Sequence, residues 1–475
     1  MEEILNGREE RRKAKNEFIT NFNSEAAISF LTVTINRPGS NKNSSFVKDL
    51  FSEALRMVSL ILPPAGLKIL KTKVINNQAG PAGLLAIRSA ANQVKKLCIQ
   101  IEQNHFAGRL FDLDVSTGEK IISRTQLGFP PRKCFLCDQA ARKCRREGKH
   151  TKEEIENWIS NQRANFYQAQ HRRENLFAER IEEIIYWAIR EEVKATPKPG
   201  LVDRENCGSH SDMNFSTFEQ SSRAIKGYFS QFVKTGMDLG LTAAEILPEL
   251  RKLGRKAERD MLQATGGVNT QKGIIFCLGL LAAAVGHFYK LPKSNFTADL
   301  PSSLANIVAE WTAGITDREL KENELGEELT NGQRVYKKYG VTGARGEVET
   351  GFSHVLNYGL PVFKKARAAG RSRNFSSVQA LVSIMGQLND TNILSRSNLE
   401  VLQQVKQLAR QVIDAGGVDS KPGNRKLNKL IDYVEKKEVS PGGAADLLAI
   451  TLFFYKLEVE WEKLIKGVFK QGVEL

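Results

Sequence analysis

KEEIENWISNQRANFYQAQHRRENLFAERIEEIIYWAIREEV, residues 152–193, divides the chain. Its apolar residues return at helical spacing with few breakers, which predicts one long helix. Upstream of it, strand and helix patterns alternate. SFLTVTIN (29–36) is rich in β-branched residues and alternates polar with apolar, as a half-buried strand does, and it ends in the turn Arg37-Pro38-Gly39-Ser40. LKILKTKVIN (67–76), GRLFDLDV (108–115) and EKIIS (119–123) read as further strands, and 8–26, 45–60 and 88–103 as helices. Downstream, strand signals almost vanish. Residues 216–235, 242–264, 272–289, 301–314, 352–369, 376–387, 397–414, 424–437 and 442–468 read as helices, separated by glycine-rich connectors. The expected fold is multidomain: an N-terminal α+β domain with a small sheet (1–170) and a C-terminal all-α multi-helix domain (171–475).

Composition narrows the class. Of 475 residues, 41% are hydrophobic and 26% charged, enough apolar side chains for sizeable cores, which excludes extensive disorder. The longest apolar stretch, Gly273 to Tyr289, is short and contains glycines and His287, so no membrane span is expected. The first residues carry charges where a signal peptide needs an apolar run, and six cysteines are too few for a disulfide scaffold; both point to the cytoplasm. The formal charge of +15 is uneven. Residues 1–175 hold 29 basic and 18 acidic side chains, so an anionic partner is expected there.

Asp112 and Asp114 stand two apart on a strand and therefore share a face. Paired carboxylates among apolar neighbours call for a cation, and Mg²⁺ suits them because it completes its shell with phosphate oxygens. Arg109, Arg124, Arg132, Lys133 and the run Arg142–Lys149 form a basic band beside them. Cys134, Cys137, Cys144 and His150 are four possible zinc ligands, but the spacing fits no standard finger. Cys144 is expected on the same helix as Cys137, and buried reduced cysteines are the favoured reading.

In the C-terminal part, Thr196-Pro197-Lys198-Pro199-Gly200-Leu201-Val202-Asp203 is a rigid loop followed by Asn206, His210 and Asp212. It reads either as a site or as an inter-helix turn capped by Asp203 or Asp212. Gly266-Gly267-Val268-Asn269-Thr270-Gln271-Lys272-Gly273 precedes an apolar helix, suiting either a phosphate cradle or an ordinary helix start. Ala344-Arg345-Gly346-Glu347, Asp390-Thr391-Asn392 and Ser440-Pro441-Gly442-Gly443-Ala444-Ala445-Asp446 complete the set, each with an acid that could instead be a helix cap. His287 and His354 read as core or surface histidines.

Arg109-Leu-Phe-Asp112-Leu-Asp114, Arg124-x2-Leu127-Gly128-x3-Arg132-x-Cys134-x2-Cys137, Ala140, Cys144 and His150 resemble the apo-citrate lyase phosphoribosyl-dephospho-CoA transferase family, as does Asn36-x-Pro38-Gly39-x2-Lys42. Arg37 and Glu147-Gly148-Lys149 depart from that pattern. The C-terminal motifs resemble the triphosphoribosyl-dephospho-CoA synthase family, shared by the citrate lyase and malonate decarboxylase systems, with Gln271 where that family usually has histidine. Cys207 and Ser209 depart from it too.

The resemblance implies a bifunctional transferase in two steps. ATP and 3′-dephospho-CoA give 2′-(5″-triphosphoribosyl)-3′-dephospho-CoA and adenine. The phosphoribosyl-dephospho-CoA then passes to a serine of the apo acyl carrier (gamma) subunit of citrate lyase, releasing pyrophosphate. It further implies catalytic roles for Asp112, Asp114, Asp203, His210, Asp212, Glu347 and Asp390, with Asp112, Asp114, Asp203 and Glu347 as Mg²⁺ ligands. Substrate binding would fall to Arg109, Arg124, Arg132, Lys198, Asn206, Asn269, Lys272, Arg345 and Asn392. Neither nucleic acid nor membrane is an expected partner. The alternatives are an RNA-binding protein with structural zinc, and the same chemistry serving malonate decarboxylase.

Overall fold

The computed structural model describes residues 2–22, 27–39, 41–62, 65–118, 120–238, 240–291, 299–321 and 329–470. Contacts group the described residues into two compact units, one up to Arg173 and one from Glu174 to Lys466.

The first unit runs α1 (Glu2–Thr20), β1 (Ile28–Ile35), α2 (Ser45–Ile61), β2 (Lys68–Asn77), β3 (Gly80–Arg88), α3 (Ala91–Asn104), β4 (Phe111–Thr117), β5 (Lys120–Ile122), α4 (Ala141–Arg146) and the start of α5 (Lys152–Lys194). The sheet has the order β2-β3-β1-β4-β5, with every neighbouring pair antiparallel. Residue alternation sorts its two faces. Leu31 and Val33 of β1, Leu85 and Ile87 of β3, and Phe111, Leu113 and Val115 of β4 join one core with Phe46 and Leu50 of α2 and Val94, Cys98 and Ile101 of α3. On the opposite face Phe30, Leu84 and Ala86 pack with Phe18 of α1. Asp112 and Asp114 fall on that second face, at the two partly open positions between buried apolar residues.

β3 has no counterpart in the expected elements. GPAGLLAIR is buried at every position but the last, so it shows no alternation to read. Its final residues account for the late start of α3, expected at 88 and observed at 91. The expected strand at 119–123 is β5, with Glu119 outside the described residues. The helix expected at 8–26 begins at Glu2 and ends at Thr20; residues 23–26 lie outside the described residues. Cys137 does not share a helix with Cys144: it lies in a bend ahead of α4, which carries Cys144.

The second unit is helical: the rest of α5, then α6 (Phe215–Gly236), α7 (Ala243–Ala264), α8 (Lys272–Lys290), α9 (Leu300–Thr312), α10 (Asn331–Tyr339), α11 (Gly343–Glu349), α12 (Leu360–Ala368), α13 (Arg373–Met385), α14 (Thr391–Arg396), α15 (Leu399–Asp414), α16 (Lys421–Lys436) and α17 (Gly442–Lys470). α8 is its centre, with apolar residues on all sides. It is the one helix among the described residues long and apolar enough to cross a membrane, and 78% of that window is buried inside the protein. α6 crosses it closely, because a Cβ at Gly236 or Gly286 would overlap backbone of the opposing helix. The helix expected at 352–369 is split: Val355–Gly359 is a π-turn, and α12 follows with Pro361 near its start.

Candidate functional site

Two groups of polar side chains stand out, one in each unit. In the first, Asp112 sits opposite Thr34 and Asp114 opposite Thr32 in the β1–β4 register, and Thr34 Oγ1 donates to Asp112 Oδ2 at 3.3 Å. Beyond the end of short β5, the outer edge of β4 is completed by α3. Leu113 N–H donates to Glu102 Oε1 at 3.1 Å, and Lys95 Nζ donates to Leu113 O at 2.6 Å. Lys95 also lies 3.8 Å from Asp114 Oδ1.

Arg132 bonds Glu102 and approaches Asp112 Oδ1 to 3.4 Å. Arg124 lies 4.0 Å from Glu102, yet its buried Nε and Nη2 have no hydrogen-bond partner. Burial, and then the Asp114 charge, push the Asp112 carboxyl above the usual carboxylate range, against Arg132 and Thr34. Burial likewise raises Glu102. Lys95, Arg124 and Arg132 thus face Asp112, Asp114 and Glu102, and Arg124 keeps donors to spare, an arrangement that suits phosphate oxygens.

Arg109 is not part of this group. It donates to the Cys134 carbonyl and lies 5.8 Å from the centre of the Trp158 ring.

In the second unit, the loop after α5 is built around Asp203. Its Oδ2 accepts from Lys198 N at 3.0 Å, and its Oδ1 from Glu205 N at 2.8 Å and Asn206 N at 3.0 Å. Asn206 Oδ1 in turn accepts from Gly208 N at 2.7 Å. Gly200 and Gly208 have positive φ, and a Cβ on Gly208 would lie 2.5 Å from Gly200 and Leu201 backbone, so only glycine lets the loop double back here. Three backbone N–H groups thus take Asp203, and its carboxylate holds the loop in shape. The cap of α6 is Asn214, not Asp203 or Asp212.

Lys198 Nζ donates to Glu192 Oε1 of α5 at 2.5 Å, with both side chains buried. The ammonium expected to meet phosphate is thus committed to a carboxylate. His210 bonds Ser440 Oγ at 2.8 Å and faces the exposed Asp212 at 3.6 Å. Burial and the nearby Arg396 lower its basicity. Thr196, Pro197 and Arg204, which flank Lys198 and Asp203 in sequence, line with Arg373 of α13 a cavity of about 310 Å³ whose lining includes none of the residues expected in a site.

The acids gather elsewhere. Asp390 caps α14 through Asn392 N at 2.8 Å, and its other oxygen accepts from Ala444 N of α17 at 2.9 Å. Burial still pushes its carboxyl up, against four backbone donors. Asp446, one turn into α17, presses its carboxylate on Gly273 of α8, where a Cβ would overlap it. Burial, then the charges of Glu192 and Asp390, drive its carboxyl well above the usual range.

Glu347 of α11 is buried, with Oε1 at 2.5 Å from His354 Nδ1 and Oε2 without any hydrogen-bond partner. Burial pushes the Cys277 thiol of α8 well up, and the charges of Asp446 and Glu347 add to it.

The outer cations are paired. Lys272 meets Glu258 at 2.5 Å, and Arg345 meets Glu319 at 2.7 Å. Asn269 Oδ1 accepts from Lys272 N, and the Asn392 amide lies against Gly442. Gln271 is buried in a network with Ser221 and Ser222.

Lys95, Glu102 and Glu192 had no role in the sequence, His354 read as core or surface, and Asp446 read as a motif acid that could cap a helix. Lys95 and Glu102 offered a signal, being charged residues on the helical stripe that also carries Cys98. Glu192 offered none within an acidic helix end.

Two family models match the chain in tandem: apo-citrate lyase phosphoribosyl-dephospho-CoA transferase over residues 1–166 and ATP:dephospho-CoA triphosphoribosyl transferase over 178–464. Protein CitXG of Haemophilus influenzae is 34% identical over 461 residues, covering 96% of this chain and 95% of its own length. Protein CitXG of Leuconostoc mesenteroides subsp. cremoris is 30% identical, covering 96% of each chain. A 2-(5″-triphosphoribosyl)-3′-dephosphocoenzyme-A synthase of Escherichia fergusonii is 39% identical over 284 residues, covering 58% of this chain and 91% of its own.

Proposed function

This chain belongs to the CitXG family, a phosphoribosyl-dephospho-CoA transferase fused ahead of a triphosphoribosyl transferase, and we propose that its two units carry the two successive reactions that make and attach the citrate lyase prosthetic group. The tandem of family matches, in the order 1–166 then 178–464, is the observation that carries this reading.

In the second unit, the ribose 2′-hydroxyl of 3′-dephospho-CoA attacks C1 of the ATP ribose and adenine leaves. The triphosphate stays on the transferred sugar. Displacement at an anomeric carbon builds positive charge on the ring, so carboxylates near it lower the barrier. Asp446, Asp390 and Glu347 are the acids we assign to that task. The pair Glu347–His354, in contact at 2.5 Å, is the assigned acceptor for the hydroxyl proton. Lys198 and Asp203 hold the loop in shape. Lys272 and Arg345 meet the triphosphate by exchanging Glu258 and Glu319 for phosphate oxygens. His210, Asp212, Asn206, Asn269 and Asn392 shape the surrounding loops.

In the first unit, a serine of the apo acyl carrier attacks the α-phosphorus of the triphosphoribosyl group, a phosphodiester forms and pyrophosphate leaves. Asp112 and Asp114 are hard oxygen donors on one face of the strand, which fits Mg²⁺; when bound, it would neutralise charge on the departing pyrophosphate. Arg124 offers its unpartnered donors to the same phosphates, and Arg132 keeps Asp112 oriented while Lys95 neutralises Asp114. The surplus of basic residues in 1–175 suits an acidic carrier protein, and the work falls in the cytoplasm where citrate lyase substrates and reduced thiols coexist. An RNA-binding role leaves Asp112 and Asp114 without a task.

Incubating the purified chain with ATP, Mg²⁺ and 3′-dephospho-CoA should release adenine and yield the adduct mass in equal amounts. Adding the apo acyl carrier should then consume the adduct. A folded sample that releases no adenine would overturn the reading.

A further inference from the structure

We propose that Cys134, Cys137, Cys144 and His150 bind one structural Zn²⁺, which fixes the hairpin that delivers Arg132 to Asp112. The four ligand atoms lie within 4.8 Å of one another. Cys137 Sγ is 4.0 Å from Cys144 Sγ and 3.3 Å from His150 Nε2. A tetrahedral zinc, with Zn–S of about 2.3 Å and Zn–N of about 2.05 Å, needs edges of about 3.8 Å between sulfurs and about 3.6 Å between sulfur and nitrogen, so the side chains already stand near these positions.

The local backbone is of the kind that holds such a site. Cys134 N–H donates to Gln139 O at 2.7 Å and Ala141 N–H to Arg132 O at 2.8 Å, with a bridge between Lys133 and Ala140. This closes a small hairpin whose tip carries Cys137. Cys144 then comes from α4, and His150 stands two residues ahead of α5, its Nδ1 3.9 Å from Glu154.

Packing alone does not explain this segment. Within residues 129–150 the one buried residue is Cys144, and the main ring contact is Phe135 stacked on Trp158 at 4.5 Å. A segment with so little apolar core is commonly held by a metal. Three thiolates and Zn²⁺ carry a net single negative charge, and Arg142, Lys143, Arg145, Arg146 and Lys149 flank Cys144 and His150 in sequence as compensating cations.

One residue ties the cluster to the first unit's candidate site: Arg132, two residues before Cys134, bonds Glu102 and reaches Asp112. This second half of the inference rests on the transfer reaction assigned above. Arg132 is there a positioning residue, held in place by the metal.

The test is metal analysis of the untagged full chain grown with added zinc. One zinc per chain is expected, lost in Cys144→Ser and His150→Ala and retained in His150→Cys. Cobalt exchanged into the wild-type chain should give tetrahedral d–d bands with thiolate charge transfer. Stripping the zinc should slow transfer to the acyl carrier at least tenfold while adenine release is unchanged. A zinc-free folded chain, iron in its place, a Cys137–Cys144 disulfide, or an octahedral cobalt spectrum would each overturn the site. Stoichiometric zinc in a chain that transfers nothing would leave the site standing and count against the transfer reading instead.

Discussion

Replacing Lys198 with Met separates two roles for that residue, loop anchor and phosphate ligand. Its Nζ sits 2.5 Å from Glu192 Oε1, with side-chain exposures of 2% and 7%. Breaking a pair this deeply buried strands the surviving charge, at a cost of about 3–5 kcal/mol, whereas replacing both partners by apolar residues of similar size is often neutral. Lys198→Met should therefore destabilise the second unit by about 3–5 kcal/mol, and Lys198→Met with Glu192→Leu should recover most of it. Burial already pushes the Glu192 carboxyl up, with Lys198 as its opposing charge. A carboxyl raised in the folded state gives its full contribution below the ordinary carboxylate range and loses it as pH rises through the folded value. The single variant's deficit should accordingly be largest above neutrality and shrink on acidification. Urea unfolding followed through Trp187, Trp311 and Trp461, all in the second unit, reads the cycle. A loss below about 1 kcal/mol in the single variant would place the ion pair at the worth of a surface contact and refute the anchor role. So would a double variant as unstable as the single.

Asp112→Asn should abolish transfer yet raise the first unit's unfolding midpoint at pH 7. Asp112 is raised by burial and Asp114, so its charged form costs stability once pH exceeds the folded value, and the gain should vanish below the ordinary carboxylate range. Thermal scans at two pH values check this. Arg124→Met should weaken use of the triphosphoribosyl intermediate by about 10- to 150-fold, the worth of a charge-assisted hydrogen bond of about 1.5–3 kcal/mol, without lowering apo stability; a KM series in the intermediate measures it. Gly273→Ala inserts a Cβ into the Asp446 carboxylate and should cost about 1–3 kcal/mol with loss of adenine release; an unchanged adenine rate would show that the contact is dispensable.

How much was legible follows from what each residue does locally. Strands β1, β2 and β4 were readable because one side of each is more open, and the Asp112–Asp114 pair followed from the same period of two. β3 was not, since both its faces are covered and its pattern is uniformly apolar. The long divider helix and α8 were plain from length and composition. The π-turn at Val355–Gly359 and the six-residue α14 were not, being too short for periodicity to register. Motif residues in the second unit were locatable, but their tasks were not. Asp203, expected to hold metal, also accepts from three backbone N–H groups, a role its sequence did not mark. Lys198, expected to hold phosphate, is paired with Glu192, which is unmarked at the end of an acidic helix. His354, expected as core or surface, is instead tied to Glu347 through a seven-residue separation that brackets a change of helix. The cysteine spacing looked wrong for zinc because Cys137 and Cys144 were expected on a single helix; a hairpin tip and a separate short helix bring them together.

One chain is assigned two separable active sites. The most direct measurement follows adenine and the holo acyl carrier in the same reaction for Asp112→Asn and Glu347→Gln. Asp112→Asn should release adenine at the wild-type rate and accumulate the adduct without loading the carrier. Glu347→Gln should release none, yet load the carrier normally when given purified adduct. Parallel loss of both activities in either folded variant would contradict the two-site account.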